Sequence, residues 1–216
     1  MVHNLLFLLS NKSNLEILKQ VLFIRHAQSI ANAGGRTANI ESIELSDLGK
    51  QQAQELAANF KIVPDLVIMS TYVRTQLTAQ PLIDRFKITN TQIWEEVKEL
   101  TYLDRVKYAN TTQDEREVGV KEFWERNDPE WRDPNDSESF HDLMRRVELT
   151  LAKIMSAKEK NDNIVVFTHG QFLLALRLFL KYPDFTPKEL MNKFWEDYYE
   201  YPIYNTQVFT LDDLIK

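Results

Sequence analysis

Four unbroken apolar residues, Val21-Leu22-Phe23-Ile24, run into the polar sequence Arg25-His26-Ala27-Gln28-Ser29. A short β-branched and aromatic run without polar alternation predicts a strand covered on both faces, here ending in a functional loop. Ile164-Val165-Val166-Phe167-Thr168 repeats the pattern and stops at His169-Gly170, and Leu66-Val67-Ile68-Met69 follows Pro64 in the same style. Strands of this kind belong to a parallel sheet packed on both sides. A later segment, Gln207-Val208-Phe209-Thr210-Leu211, reads as a further strand.

Between these runs the apolar period lengthens to that of a helix. Leu48, Ala53, Leu56, Ala57 and Phe60 mark one helix with Ser46 as its cap. A second follows Met69, with Ser70 or Thr71 as cap and Arg74 in its first turn. Phe140, Leu143, Met144, Val147, Leu151 and Ile154 line one face of a longer helix that begins around Ser137 to Ser139, and Asn161-Asp162-Asn163 then turns the chain. Thr186-Pro187-Lys188-Glu189 is a capping box with proline at the first helical position, Phe185 and Leu190 are spaced as its hydrophobic staple, and the helix should finish near Pro202. The alternation predicts an α/β fold, a three-layer α/β/α sandwich around a mostly parallel sheet.

Two stretches break the rhythm. Residues 103–136 are polar but carry Phe123, Trp124 and Trp131, which predicts an inserted helical lid over one end of the sheet. Its aromatics are expected to form the lid's own small core rather than to meet a ligand. Residues 1–20 hold the apolar run Leu5-Leu6-Phe7-Leu8-Leu9 without a basic lead or a small-residue cleavage site, so they are expected to pack on the domain as an extension.

Composition narrows the function classes. With 26 Lys and Arg against 32 Asp and Glu, the net charge of −6 gives no general attraction to nucleic acid or anionic membrane. The absence of cysteine excludes disulfide and thiolate chemistry, and a cytoplasmic location is expected. No stretch reaches the roughly 20 apolar residues of a membrane span. At 216 residues a single domain is expected, and a homodimer is allowed.

The chemistry-bearing residues gather at predicted strand ends. In open α/β folds the carboxyl ends of parallel strands converge on the ligand crevice, so His26 and His169 can meet there. Arg25 and Arg74 are candidates for the same cleft, where two guanidinium forks suit the oxygens of a phosphoryl dianion. Taken singly, each histidine is better explained as a hydrogen-bonded structural residue, and it is the combination that shifts the balance. The sequence has no His-x-His pair, no His-Glu-x-x-His and no metal-ligand cluster, so neither metal nor cofactor is expected.

Arg25-His26-Ala27-Gln28-Ser29-Ile30-Ala31-Asn32 resembles the signature of the histidine phosphatase superfamily, in the branch of phosphoglycerate mutases and related phosphatases. The resemblance continues through Leu45 to Ala53, Pro64-Asp65-Leu66, Ser70 to Ala79, Ser137 to Phe140 and Val165 to Gly170. It implies that His26 is a nucleophile that becomes phosphohistidine. It further implies that Arg25, Arg74 and a cationic His169 complete the phosphate pocket, and that Asn32 is another phosphate contact. For the acid/base carboxylate the best match is Glu99, in Glu99-Leu100-Thr101-Tyr102, with Glu96 as nearest competitor. Three departures stand out: Ala27 where glycine is usual, Gln28 where glutamate is usual, and Leu103 in place of a glycine after Glu99. With neutral Gln28 in place of the usual glutamate, the pocket is expected to be slightly more positive.

The implied activity is metal-independent hydrolysis of a small-metabolite phosphomonoester. Mutase-type transfer and a catalytically silent phospho-ligand or protein-binding relative are the alternatives. The mixed charges of the predicted lid favour a phosphatase over a mutase, which would benefit from more basic residues.

Overall fold

The computed structural model describes residues 21–134 and 136–215. The expected packing of residues 1–20 lies outside them. In chain order the elements are β1 (Val21–Arg25), α1 (Asp47–Asn59), β2 (Leu66–Ser70), α2 (Val73–Phe86), β3 (Thr91–Trp94), α3 (Glu117–Arg126), α4 (Phe140–Lys158), β4 (Ile164–Thr168), α5 (Gly170–Lys181), α6 (Pro187–Glu200), β5 (Val208–Phe209) and α7 (Leu211–Ile215). The sheet order is β3-β2-β4-β1-β5. The first four strands are parallel, and β5 runs antiparallel along β1.

Alternate residues of each apolar strand face opposite sides, which builds two cores from one sheet. Val21, Phe23, Leu66, Ile68, Ile164 and Val166 pack with α4, α5 and α6. Ile24, Val67, Met69, Val165 and Phe167 pack with Ala57, Phe60, Ala79 and Leu82 at the α1 and α2 side. The result is the expected α/β/α sandwich with a mostly parallel sheet.

The cap signals hold for three helices. The Ser46 side chain accepts the Gly49 N–H at 3.0 Å, and reciprocal capping boxes join Ser139 to Asp142 and Thr186 to Glu189. Other local readings need correction. Leu48 is exposed and takes no part in the buried face of α1. Neither Ser70 nor Thr71 caps α2: its N-cap is Tyr72, and Ser70 Oγ accepts the Tyr72 N–H while its other side meets His169. Phe185 stacks on Tyr182 with ring centroids 4.7 Å apart and stays partly exposed. The last strand is only two residues long, since Thr210 and Asp213 cap one another's ends and turn Leu211 into α7.

The stretch from 103 to 134 contains a 3₁₀ turn at Asp114–Arg116 followed by α3. Its aromatics do not form a separate core as expected. Trp124 stacks on Phe194 at 4.9 Å and on Trp195 at 5.4 Å, both in α6, so Phe123 and Trp124 join the main core. The loop after β1 is tied to the same stretch by a bridge between Thr37 and Thr111 and by Arg36 Nη1 on Glu115 at 2.8 Å.

Candidate active site

β1 and β4 are neighbours in register, with Arg25 opposite Thr168. The next residue on each strand is therefore a histidine, and the rings of His26 and His169 lie 5.1 Å apart at the carboxyl edge of the sheet. Both are buried, His26 at 3% exposure and His169 at 0%. Their juxtaposition is a consequence of strand pairing that the chain separation conceals.

The loop carrying His26 is fixed at several points. Thr78 Oγ1 accepts the Ala27 N–H at 3.0 Å, and Asn205 Nδ2 donates to the His26 carbonyl at 2.8 Å. Ala27 has no left-handed backbone, so its methyl brings no strain in the glycine's usual place. A Cβ on Gly49 would come within 1.9 Å of the Gln28 carbonyl oxygen, so only glycine lets α1 approach this loop. Gln28 itself turns to that helix end and accepts from Ser46 Oγ at 2.7 Å. Its side chain is absent from the cavity wall.

The His26 tautomer follows from its partners. Nδ1 lies 2.7 Å from the Ala27 carbonyl, which can only accept, so Nδ1 carries the proton. Nε2 then presents its lone pair and accepts from Arg74 Nε at 3.1 Å. Burial, followed by the charges of Arg74 and Arg25, holds the imidazole pKa well below the ordinary value. The ring is thus neutral with a free-base Nε2.

Arg74 stands in the first turn of α2, its guanidinium 4.8 Å above the Tyr72 ring and its Nη1 on the Ile40 carbonyl at 2.8 Å. Burial lowers its pKa to about 10, which leaves it charged at neutral pH. Arg25 donates through Nη1 to the Ile203 carbonyl, and its buried Nε has no partner among the described residues. Gly170 accommodates this side chain, since a Cβ there would already sit 3.4 Å from Arg25 Nε.

His169 is the N-cap residue of α5 and is enclosed between the rings of His26 and Tyr72. Its Nε2 meets Ser70 Oγ at 2.7 Å, while buried Nδ1 has no partner among the described residues. Burial and then Arg74 push its pKa well below the ordinary value, which favours the neutral ring over the expected cation. It stands behind His26 and outside the lining of the cavity.

The cavity in front of His26 has a volume of about 900 Å³ and is lined by Arg25, His26, Asn32, Arg74 and Glu99 among others. Asn32 Oδ1 accepts from Ser29 N–H at 3.3 Å and from Asn205 Nδ2 at 3.4 Å. Glu99 receives the N–H groups of Leu100, Gln171 and Phe172 at 3.2 to 3.4 Å, the last two from the first turn of α5. Burial pushes its pKa up, against the lowering pull of Arg74 and Arg25. Glu96, its nearest competitor, bonds Lys153 at 2.8 Å and is not part of the cavity wall.

Some structural contributors were missed in the sequence. Asn205 left no local signal. Arg146 did, as a cation within the apolar stripe of α4: it is almost fully buried, pairs with Glu138 through two nitrogens, and donates from Nη1 to the carbonyls of Glu96 and Lys98 at 2.6 and 2.9 Å. It therefore grips the backbone just ahead of Glu99.

Among solved structures, the chain is similar to a candidate alpha-ribazole-5'-P phosphatase of Escherichia coli at 25% identity and TM-score 0.63, covering 79% of this chain and 82% of that one. It is similar to a mycobacterial glucosyl-3-phosphoglycerate phosphatase at 24% identity, TM-score 0.61 and the same two coverages. A mutant phosphoserine phosphatase of Entamoeba histolytica, bound to phosphoserine, matches at 21% identity and TM-score 0.64 over 87% of each chain. No curated protein matches. A family model nevertheless spans residues 21–194, from the strand that delivers His26 to the helix that receives Trp124, and on that match the chain belongs to the histidine phosphatase superfamily, branch 1.

Proposed function

We propose that the protein is a phosphatase that hydrolyses a phosphomonoester of a small metabolite through a phosphohistidine on His26. The observation that carries this reading is the tautomer of His26, whose Nδ1–H is committed to Ala27 and whose Nε2 lone pair faces the guanidinium of Arg74. A neutral imidazole held beside two arginines has what phosphoryl transfer needs, a nucleophile and positive charge for the equatorial oxygens.

In the first step Nε2 attacks phosphorus and the bond from phosphorus to the ester oxygen breaks. Arg25 and Arg74 hold the equatorial oxygens, with Asn32 as a further contact, while His169 packs against the His26 ring from behind. Glu99, whose pKa is raised by burial, is protonated at this stage and gives its proton to the leaving alkoxide. In the second step the Glu99 carboxylate takes a proton from water, the water oxygen bonds to phosphorus, and the bond to Nε2 breaks. Inorganic phosphate leaves and Glu99 is protonated again. Residues 103–136 act as the lid that encloses these steps within one domain.

Glu99 on the cavity wall counts against a silent relative, which has no need of an acid there. The test is acid-labile transfer of radiolabel from a phosphorylated substrate to the protein. The wild type and Glu99→Gln are expected to take up label, Glu99→Gln holding it longer, and His26→Ala none. Equal turnover by wild type and His26→Ala would overturn the proposal.

A further inference from the structure

We infer that the substrate is a phosphomonoester of a bulky, largely uncharged aromatic or apolar alcohol, and that a second anionic group on the substrate is selected against. This rests on the phosphatase reading and names the leaving group that the same cavity fits. At about 900 Å³ the cavity lies near the upper end of small-molecule sites, roughly 300–1,000 Å³, far more room than a three-carbon phospho-acid fills.

Beyond the arginines the wall is aromatic. Tyr102 and Tyr108 come from the lid side, and Tyr198, Tyr199 and Tyr201 from the end of α6. Tyr102 is buried with its ring on Phe123 at 4.5 Å, a rigid backing for a flat group. Tyr198, Tyr199 and Tyr201 are exposed, so an apolar leaving group would remove aromatic surface from water there.

Charge points the same way. The wall outside the phosphoryl end carries Glu41, Asp104, Asp114 and Glu117 against Arg105 and Arg116. Arg105 is paired with Glu41 at 3.0 Å, and Arg116 Nε is on the Thr112 carbonyl at 3.1 Å. Four carboxylates facing two guanidiniums repel a substrate carboxylate or second phosphate, which is specificity by unfavourable contact.

The test compares kcat/KM for 2-naphthylmethyl phosphate, 3-phosphoglycerate and phosphoserine, all of them alkyl esters. The naphthyl ester is expected to be favoured by at least about tenfold, and Tyr198→Ala should reduce that ratio by raising KM for it. Calorimetry on the wild type with 2-naphthylmethylphosphonate and phosphonoacetate, neither of them hydrolysable by this route, reads the same preference without turnover. Tighter binding of the naphthyl compound supports the inference even if no ester is hydrolysed, in which case only the phosphatase reading fails. Equal binding, or a preference for the second anion in either measurement, overturns the inference and leaves the phosphatase reading intact.

Discussion

Arg74 Nε donates to His26 Nε2 at 3.1 Å, so a cation rests on the nitrogen that the proposed reaction uses as nucleophile. A phosphoryl dianion offers the guanidinium better acceptors than an imidazole lone pair, and its arrival frees the nucleophile where it is needed.

Arg74→Gln removes that donor together with a charge that depresses the His26 pKa. Its kcat/KM is expected to fall about 10²- to 10³-fold, as for loss of one preorganised donor. The His26 imidazole, followed by NMR titration, should shift toward its ordinary pKa. An unmoved titration would contradict the assigned contact.

The pH profile of kcat/KM should be bell-shaped, with limbs displaced in opposite senses. His26 has its pKa held low, so it stays a free base into acid, and the acid limb lies well below 6.5. Glu99 has its pKa raised, so its proton persists above the usual carboxylate range, and the alkaline limb marks its loss. Glu99→Gln should erase the alkaline limb and slow alkyl esters by about 10²- to 10⁴-fold, with a smaller loss for aryl esters whose leaving groups need no proton.

Stability should fall on mild acidification in phosphate-free buffer. His26 and His169 are both neutral when folded, with pKa values below the ordinary 6.5, so below that pH the unfolded chain binds more protons than the folded one. Their contribution is complete above pH 6.5 and is lost as pH drops toward the folded values, at up to ~1.4 kcal/mol per pH unit for each ring. Urea midpoints at pH 7.5 and 5.5 measure this. His169→Asn should flatten the slope, and an unchanged slope would count against the buried neutral ring.

Arg146→Met strands the Glu138 carboxylate, whose side chain is only 11% exposed, and should destabilise the fold by about 3–5 kcal/mol. Arg146→Met with Glu138→Gln should recover much of that stability. The double variant should still hydrolyse alkyl esters slowly while keeping aryl ester turnover, since Nη1 no longer grips the carbonyls ahead of Glu99. Full alkyl activity in the double variant would reduce the pair to a structural tie.

Much of this was written in local pattern. Unbroken apolar runs gave β1, β2 and β4, and a hydroxyl or carboxylate at the right offset gave the starts of α1, α4 and α6. Local reading failed where a side chain had a better partner elsewhere. Ser70 is chemically an adequate cap, yet it serves His169. Trp124 has the look of a small lid core, yet it stacks across on α6.

By itself the sequence determined β1, β2 and β4, the starts of α1, α4 and α6, the sandwich class and a list of residues suited to phosphoryl chemistry, because each depends on neighbours a few positions apart. Tertiary structure alone decided that His26 and His169 touch, which nitrogen of His26 is unprotonated, that Glu99 and not Glu96 faces the cavity, and that Arg146 holds its backbone. Those properties depend on strand register and desolvation, which arise only when segments distant in sequence are pressed together and water is excluded between them.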